Sequence, residues 1–408
     1  MRIIYIHQHF ATPQMAGGTR SYEFAKRLVA RGHHVTMIAG GMNRVDKSEL
    51  KKTIEDGIEV HWIPISYSNK MNYRKRINAF MKFAWLAYRC ASKVNCDLVF
   101  ATSTPLTVAI PGIYAARRHQ VPFIFEVRDL WPEMPIAVNA LKNRWAIALA
   151  RHLERFAYKN AKHIIALSPG MRDGIASTGY PISRISVIPN FCNPKIFNNN
   201  TRLHNSSIIP AEFADKQIAL YAGTIGVLNN LSYLVDVAYE SKSLDANLIY
   251  VVVGDGADRE NVIKKAKKLE VLGVNFFVLP QASKEQIPAF FQRADITFSL
   301  FADIEEMWAN SANKFFDGLA SGTPVAINYK GWQAEILLKY DAGIVMPPSD
   351  SKKSAQMISE LVKDKSRRAR MAQNAIALAT GEYSDECAYL NFERVLLSSA
   401  SQLEMPLP

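Results

Sequence analysis

The sequence predicts an α/β protein made of two doubly wound domains, each with a parallel sheet covered by helices on both faces. Three observations predict this fold class. The chain has 408 residues, which is roughly two to three times the usual length of one domain. Short apolar runs typical of buried strands alternate with helical segments. The alternation starts again after residue 200, so a second sheet follows the first.

The first half opens with a strand, a glycine loop, a helix and another strand, which is the order of a βαβ unit. We expect the helix from about residue 21 to residue 31, where Gly32 ends it. Phe24 and Leu28 lie one turn apart on its inner face. The strands predicted in this half are residues 3–6, 34–38, 98–100, 123–125, 163–166 and 185–188.

The second half repeats the pattern, with strands predicted at residues 218–223, 248–254, 276–279, 296–300 and 324–327. An Asn- and Ser-rich stretch at 197–210 is typical of a surface loop. We therefore expect an N-terminal domain of residues 1–192 and a C-terminal domain of residues 193–384. A last helix, at about 385–403, is expected to pack back on the first domain.

Charge is distributed unevenly between the two halves. The whole chain has a net charge of +12. Residues 1–200 hold 28 basic and 12 acidic side chains, a net +16, whereas residues 201–408 hold 21 and 25, a net −4. A basic surface suits nucleic acid, an anionic membrane or a phosphate-rich ligand. We exclude nucleic acid because the sequence has no pattern of a nucleic-acid-binding module.

Cysteine, histidine and hydropathy patterns argue against a disulfide framework, a metal site and a membrane span. The cysteines form no C-x-x-C pair, and reduced thiols of a cytosol suit a chain of this length. The histidines at 7, 9, 33 and 34 lack the spacing of helical metal ligands. No signal-peptide pattern is present, and no apolar run reaches the ~20 residues of a membrane helix. We expect a soluble or peripheral protein without a metal.

The segment 310–325 carries the sharpest functional pattern. Asn310 or Ser311 can cap a helix that Gly322 ends, and the N–H groups at its start would suit a diphosphate. Lys314 in its first turn is unfavourable for stability unless an anion lies nearby. Asp317, one turn further on, could accept hydrogen bonds from ribose hydroxyls. The alternative is a solvated surface helix.

Other candidate loops follow predicted strands, where ligands bind in open α/β sheets. Glycines let a ligand approach the backbone, although a tight turn alone could require them. The ionisable groups after the strand at 123–125 could serve a substrate or form a salt-bridged loop. The candidates are Gly17, Gly18, Thr19, Arg20, Glu126, Arg128, Asp129, Trp131 and Glu133 in the first half, and Gly223, Thr224, Gly254, Asp255 and Gly256 in the second.

The segment 72–94 predicts a basic amphipathic helix. Lys75, Lys82 and Arg89 recur every seven residues and share one face, with Trp85 between the last two. Such a helix is typical of a membrane-surface element, while a core helix with a solvated basic edge is the alternative. Another side is lined by Ile77, Met81, Ala84 and Tyr88.

Four motifs, in order along residues 1 to about 340, resemble those of the retaining glycosyltransferases of family 4. Gly17 and Gly18 look like the N-terminal glycine loop of that family. Residues 188–193 (IPNFCN) resemble its IPNGVD linker, residues 253–256 (VGDG) its VGDGP turn, and residues 317–325 (DGLASGTPV) its EAMACGxPV motif. The order of the four makes the resemblance specific.

Two departures from the family pattern concern the donor. Ala309 stands where the family has the first Glu of its Glu-x7-Glu motif. Thr224 and Asn229 or Asn230 stand where the family tends to carry an Arg/Lys pair. We expect Lys314 to supply the missing positive charge, and the sugar side to be served by the neutral groups Asn310, Ser311 and Asn313.

The resemblance implies the GT-B fold, in which two Rossmann-like domains face each other across a cleft. It also implies transfer with retention from a nucleoside-diphosphate sugar, without a metal. Residue patterns and resemblance together place the donor at Gly17, Gly18, Gly223, Thr224, Gly254, Asp255, Gly256, Leu279, Pro280, Asn310, Ser311, Asn313, Lys314 and Asp317, with the base between Leu279 and Pro280. They place catalysis at Glu126, Arg128, Asp129 and Lys314, and the acceptor at Thr19, Arg20, Trp131 and Glu133.

Three combinations look like the subgroup that builds bacterial O-antigen and capsule units, including N-acetylfucosamine transferases: GGTR at 17–20, RDLWPE at 128–133 and NSANK at 310–314. The expected donor is a UDP-linked N-acetylated or 6-deoxy hexose. The expected acceptor is a polyprenyl-diphosphate-linked sugar on the cytoplasmic face of the bacterial inner membrane. A GT-B sugar-nucleotide epimerase and a non-catalytic sugar-nucleotide or membrane-binding protein are the alternatives. A NAD dehydrogenase is disfavoured because neither glycine turn completes G-x-G-x-x-G.

Overall fold

A computed structural model describes residues 1–15, 17–41, 50–67, 71–137, 141–198 and 208–401. The chain divides into two compact units. Unit 1 is Met1–Pro189 together with the C-terminal stretch from Ala388, and unit 2 is Asn190–Cys387. The boundaries predicted from the sequence, after residues 192 and 384, each lie three residues from the observed ones. Both units are doubly wound α/β domains, so the predicted fold class is confirmed.

Unit 1 is built on one sheet. Its strands are β1 (Arg2–His7), β2 (His34–Gly40), β3 (Lys51–Glu55), β4 (Ile58–Ile63), β5 (Leu98–Thr102), β6 (Phe123–Val127), β7 (His163–Ala166) and β8 (Ile185–Val187). They lie in the order β3-β4-β2-β1-β5-β6-β7-β8. All neighbours are parallel except β3 and β4, which are antiparallel.

The hairpin of β3 and β4 is absent from the sequence prediction, whereas the six strands predicted in this half are confirmed. Its turn consists of Asp56 and Gly57, with φ of 48° and 83°. Asp-Gly is the pair that a two-residue hairpin favours, because both of its residues need positive φ. The signal was therefore present in the sequence, between two runs of strand-forming residues.

Six helices of unit 1 connect these strands: α1 (Arg20–Ala30), α2 (Tyr73–Ala91), α3 (Ala109–His119), α4 (Glu133–Ala137), α5 (Arg144–Asn160) and α6 (Pro169–Ser177). Parallel crossovers are right-handed, so α2, α3, α5 and α6 cover one face of the sheet and α1 covers the other. Phe24 and Leu28 of α1 are fully buried, as predicted.

Unit 2 is built on a six-stranded parallel sheet. Its strands are β9 (Gln217–Ala222), β10 (Leu248–Val253), β11 (Phe276–Leu279), β12 (Ile296–Ser299), β13 (Val325–Ile327) and β14 (Gly343–Val345), in the order β11-β10-β9-β12-β13-β14. The five predicted strands are confirmed. The edge strand β14 is not predicted, because its three residues are too short for a hydrophobic pattern to identify.

The remaining helices are α7 (Pro194–Asn198), α8 (Leu231–Ser241), α9 (Arg259–Lys268), α10 (Ile287–Arg293), α11 (Asn313–Ser321), α12 (Trp332–Tyr340), α13 (Ser351–Lys363), α14 (Lys365–Thr380) and α15 (Asp385–Ala400). Most of α15 belongs to unit 1, where Phe392 stacks on Phe24 with ring centroids 4.5 Å apart. Within unit 2, the backbone of Cys192 pairs with Tyr383 and Asp385. The two chain segments that connect the units therefore lie side by side.

All four cysteines are free thiols. Among the described helices, none is long and apolar enough to cross a membrane.

Candidate functional site

Two glycine turns meet at the carboxyl edge of the unit 2 sheet. The N–H of Gly223 donates to the carbonyl of Val253 (2.9 Å), and the N–H of Ile225 donates to that of Asp255 (2.9 Å). A Cβ on Gly254 would lie 1.9 Å from the Gly223 carbonyl oxygen. Close packing of one turn against the other therefore requires glycine there.

The remaining donor candidates at this edge are accessible to different degrees. A Cβ on Gly256 would lie 2.3 Å from the carbonyl oxygen of Ile225, so the same packing explains this glycine. Thr224 and Asp255 are exposed. Leu279 ends β11, and its carbonyl accepts from the N–H of the glycine that follows β10, while Pro280 is exposed beside it.

Helix α11 begins without the predicted cap. Its N-cap residue is Ala312, and no side chain of the described residues accepts a hydrogen bond from its first turn. Ser311 cannot cap because its hydroxyl accepts from the backbone N–H of Asn190 at 3.0 Å. Asn310 does not cap: its side-chain N–H donates to the carbonyl of Met307, and its Oδ1 accepts no hydrogen bond in the described structure. The prediction of an Asn310 or Ser311 cap is therefore wrong, and the first turn of α11 keeps its N–H groups uncapped by side chains.

Lys314 and Asp317 lie one turn apart at this uncapped end of α11, and both are partly buried. The Nζ of Lys314 lies 5.2 Å from the centroid of the Tyr221 ring. A Cβ on Gly223 would lie 2.5 Å from the Cε of Lys314, so the lysine packs against the first glycine turn. Within the described residues, neither Lys314 nor Asp317 has an ion pair within 4 Å.

Burial shifts both groups toward their neutral forms. It lowers the pKa of Lys314 to about 8, a shift that the nearby Asp317 opposes. It raises the pKa of Asp317 to about 7, a shift that Lys314 opposes. Two ionisable groups with shifted pKa values beside a backbone turn are typical of a functional site.

The three neutral candidates on this side have different surroundings. Asn190, missed by the sequence analysis although it lies in the IPNFCN motif, donates through its side-chain amide to the carbonyl of Ser311 (2.7 Å). The Oδ1 of Asn310 is buried and has no hydrogen-bond partner in the described structure. Asn313 is exposed. Asn310 and Asn313 thus keep polar groups that a ligand could use.

A buried ion pair holds the candidate edge of unit 1. The guanidinium of Arg20 lies 2.9 Å from a carboxylate oxygen of Glu126, and both side chains are buried. The hydroxyl of Thr102 donates to the other carboxylate oxygen at 2.6 Å. Arg20 also donates to the carbonyls of Ile188 and Pro189, the last residues before unit 2.

This network corrects the predicted roles of two residues. Glu126 is fully buried and both its oxygens accept hydrogen bonds, so it cannot also orient an acceptor hydroxyl. Arg20 is directed into the same network and not toward solvent. Arg20 and Glu126 are positioning residues. They connect the start of α1, the end of β6 and the segment that leads to unit 2.

The other unit 1 candidates remain accessible. Gly17, Gly18 and Asp129 are exposed. They and their partly buried neighbours surround the carboxyl ends of β1, β5 and β6. The backbone N–H of Arg128 donates to the hydroxyl of Ser103 at 2.9 Å, which fixes the loop after β6. The partly buried candidates are Thr19, Arg128, Trp131 and Glu133.

Two buried polar residues at the end of β1, His7 and Gln8, were not among the predicted candidates. The Nδ1 of His7 and both amide atoms of Gln8 have no hydrogen-bond partner in the described structure. Burial, reinforced by nearby Arg128, lowers the pKa of His7 well below its ordinary value. Their position at the end of the first strand was the available signal, whereas the role considered for His7 from the sequence was metal ligation alone.

The basic helix α2 lies as predicted on the surface of unit 1. Lys75, Lys82, Trp85 and Arg89 are all exposed, and the Arg89 guanidinium lies 4.8 Å from the centroid of the Trp85 ring. The helix buries Ala79, Phe83, Ala84, Ala87 and Cys90, whereas Ile77 and Met81 are exposed. Large apolar side chains therefore lie beside the basic ones on the solvent-facing side.

Two domain families match the chain in succession. Residues 16–190 match the glycosyl transferase 4-like domain, and residues 205–378 match the glycosyl transferases group 1. Lipopolysaccharide 1,2-N-acetylglucosaminetransferase of Salmonella typhimurium is 26% identical over 221 residues, which cover 52% of this chain and 56% of that enzyme. The putative colanic acid biosynthesis glycosyl transferase WcaI of Escherichia coli is 25% identical over 307 residues, 70% of this chain and 73% of WcaI.

The fold is also found among solved structures. HepE from Anabaena, in a crystal structure with UDP and glucose, superposes with a TM-score of 0.72 at 16% identity and covers 98% of this chain and 100% of that one. Identity at this level supports the fold and leaves substrates open. The aligned region spans little more than half of the Salmonella enzyme, 56% of its length.

Proposed function

The chain belongs to the family 4 glycosyltransferases of GT-B architecture, and from that premise we propose that it transfers a sugar from a nucleoside-diphosphate sugar to a polyprenyl-diphosphate-linked saccharide. The proposed donor is a UDP-linked N-acetylated or 6-deoxy hexose. Relatives named for lipopolysaccharide and colanic acid synthesis support a role in surface polysaccharide formation. A neighbour of the same fold that binds UDP supports the nucleotide.

One observation carries the donor site: Lys314 and Asp317 are partly buried and lack an ion-pair partner in the described structure, at the uncapped start of α11. The first turn of a helix carries unpaired N–H groups and a partial positive charge, which suit a diphosphate. Lys314 adds a full positive charge next to the turn at Gly223. Asp317 can accept hydrogen bonds from both ribose hydroxyls.

The catalytic role of Lys314 and the α11 N–H groups is to stabilise the leaving nucleoside diphosphate. The bond between the anomeric carbon and the donor diphosphate breaks, and a bond to the acceptor oxygen forms on the same face of the sugar. The acceptor proton passes to the leaving phosphate. Negative charge that develops on the diphosphate is stabilised by Lys314 and the α11 N–H groups, and preorganised groups of this kind supply a large part of many enzymes' rate enhancement. The proposed reaction uses no metal.

On the acceptor side we assign direct contacts to Arg128 and Asp129. Asp129 is exposed and can orient the acceptor hydroxyl, and Arg128 can pair with its diphosphate. Thr19, Trp131 and Glu133 surround the same strand ends. Glu126 and Arg20 hold this edge in place from inside.

We assign the exposed face of α2 to the cytoplasmic surface of an anionic membrane, where a polyprenyl-linked acceptor resides. Lys75, Lys82 and Arg89 would interact with lipid phosphates and Trp85 with the headgroup region. Replacing Lys82 and Arg89 by Glu should weaken sedimentation with phosphatidylglycerol vesicles and leave the binding of UDP-N-acetylglucosamine unchanged. Equal vesicle binding by variant and parent would remove α2 from this role.

The test of the enzyme is sugar transfer by the full chain to a short-chain polyprenyl-diphosphate-linked sugar, with a panel of UDP-, GDP- and TDP-sugars. Thermal shift against the same panel identifies the donor, because a ligand that binds only the folded state stabilises it. NMR of the product should show the anomeric configuration of the donor.

Two results would overturn the proposal. Conversion of a donor without any acceptor would indicate an epimerase. Donor binding with no turnover on any lipid-linked acceptor would indicate a binding protein. Asp317→Ala tests the donor site separately, since loss of hydrogen bonds to a charged group should weaken donor binding by about 2–4 kcal/mol in calorimetry.

A further inference from the structure

Helix α5 of unit 1 exposes two large apolar side chains next to each other. Trp145 is 86% exposed and Leu149 is 70% exposed. They are four residues apart, so they lie on the same side of the helix. Apolar side chains grouped on a surface, and bordered by polar ones, mark a contact site for a membrane or a protein.

A basic stripe runs directly beside this apolar pair. A groove of about 440 Å³ follows α5 and is lined by Arg144, Ile147, Ala148, Arg151, His152 and Arg155. Arg151 lies 3.3 Å from Glu133. In the described part of the chain, Arg144 and Arg155 have no acidic partner within 4 Å. Guanidinium groups bind phosphate with two parallel hydrogen bonds, so the stripe is complementary to a phosphate-bearing partner.

The position of α5 connects it with α2. Both helices lie on the same face of the unit 1 sheet, and α3 packs against both. Both run antiparallel to the strands that precede them, so their first turns lie toward the carboxyl edge of the sheet. On α2, exposed Ile77, Met81 and Trp85 likewise lie beside a basic stripe. Two helices of one layer thus repeat the same arrangement.

We infer that α5 is a second membrane-contacting helix, whose arginines bind the phosphates of anionic lipid headgroups while Trp145 and Leu149 enter the interfacial region. Three features favour a bilayer over a protein partner: the aromatic ring at 86% exposure, the adjoining cationic stripe, and its repetition on α2. Aromatic and basic side chains are characteristic of the membrane interface. This inference rests on the membrane association in the proposed function, and it does not depend on the sugar-transfer reaction.

Sedimentation of the full chain with vesicles of phosphatidylglycerol and phosphatidylcholine tests the inference. Arg144→Gln with Arg155→Gln should lower the partition coefficient by roughly fivefold per charge removed, about thirtyfold for the pair. On pure phosphatidylcholine the variant and its parent should differ little. The matched control is Lys264→Gln with Lys267→Gln, which removes two exposed charges from α9 in unit 2 and should leave partition unchanged.

The apolar pair has its own test and control. Trp145→Ser with Leu149→Ser should also reduce partition, whereas Leu338→Ser on α12, a side chain of similar exposure at 69%, should not. The substituted α5 side chains are exposed, so the variants should keep the thermal unfolding of the parent. Fluorescence of the parent should shift to the blue on vesicles, and the Trp145 variant should lose part of that shift.

The results of these experiments distinguish a failure of the α5 inference from a failure of the proposed function. Parent-like partition of both α5 variants on anionic vesicles would overturn the inference, whatever the α2 variants do. Competition by inorganic pyrophosphate that is lost in the arginine variant, together with unchanged vesicle binding, would also overturn it and assign the groove to a soluble anion. Binding of UDP-N-acetylglucosamine by the α5 variants should stay at the parent value, because none of the residues assigned to the donor lies on α5.

Discussion

The affinity for UDP-N-acetylglucosamine, a donor of the proposed class, should have a maximum at a pH between the pKa values of two residues of α11. Asp317 has its pKa raised to about 7, so it gains a proton as the pH falls through that value and loses the charge that strengthens its hydrogen bonds to ribose. Lys314 has its pKa lowered to about 8, so it loses its proton as the pH rises and no longer attracts the diphosphate. Donor binding should therefore weaken as the pH falls below about 7 and as it rises above about 8.

The size of the effect follows from the two values. If the donor binds only when Asp317 is ionised and Lys314 is protonated, the affinity at about pH 6 and about pH 9 is roughly sixfold below that at about pH 7.5. Beyond these points, each further unit of pH weakens binding by about tenfold. Isothermal calorimetry with UDP-N-acetylglucosamine measures this directly, because its diphosphate carries no group that titrates near neutrality.

Two near-isosteric variants assign each side of the profile. Asp317→Asn should bind more weakly at the optimum, by roughly 1–3 kcal/mol, and should lose the acid-side decline. Lys314→Met replaces the ammonium-bearing side chain by an unbranched neutral one that is one atom shorter, and it should lose the alkaline-side decline. Circular dichroism confirms that each variant is folded. A parent profile that is flat across this range, or variants that keep both declines, would refute the assignment of the two residues to the donor.

Three other predictions concern stability and metal independence. Arg20→Met should lower the free energy of unfolding by about 3–5 kcal/mol, because it leaves the buried carboxylate of Glu126 uncompensated; adding Glu126→Gln should restore part of this in urea titrations. Gly254→Ala should lower the free energy of unfolding by more than Gly273→Ala does. A Cβ on Gly254 would lie 1.9 Å from the Gly223 carbonyl oxygen, whereas one on Gly273 would meet nothing within 4 Å. Equal losses of stability would contradict the close packing of the two glycine turns. Sugar transfer should survive excess EDTA, and a loss restored by Mg²⁺ would contradict the metal-independent chemistry.

The sequence was sufficient for the fold wherever hydrophobic burial alone determines the structure. Strands such as β1 and β10 are buried on both faces, so each appears as an uninterrupted apolar run. The hairpin of β3 and β4 lies at the sheet edge and has an exposed first strand, Lys51–Glu55, whose polar residues conceal it. The Asp56–Gly57 pair was the remaining signal for this hairpin. It predicts a turn from two neighbouring residues, and a pattern of apolar runs does not reveal such a turn.

Functional residues were harder to separate from structural ones, because identical residue types serve both purposes. Arg20 and Glu126 have the composition of a substrate site, yet in the fold they neutralise each other and fasten the backbone of Ile188 and Pro189. Their pairing spans 106 positions in sequence, a distance at which no local pattern can indicate contact.

The contrast with Lys314 shows what distinguishes the two cases. A buried charge that already has a partner belongs to the structure of the fold. Removal of one partner destabilises the fold, because the other charge remains buried and uncompensated. Lys314 and Asp317 are partly buried, have no ion-pair partner within 4 Å in the described structure, and have pKa values shifted toward the neutral state by burial. An anionic ligand that carries ribose hydroxyls would restore to both groups the interactions that burial removed. The sequence identified the two residue types and their spacing on one helix turn, but only the fold shows that the described part of unit 2 forms no ion pair within 4 Å with either group.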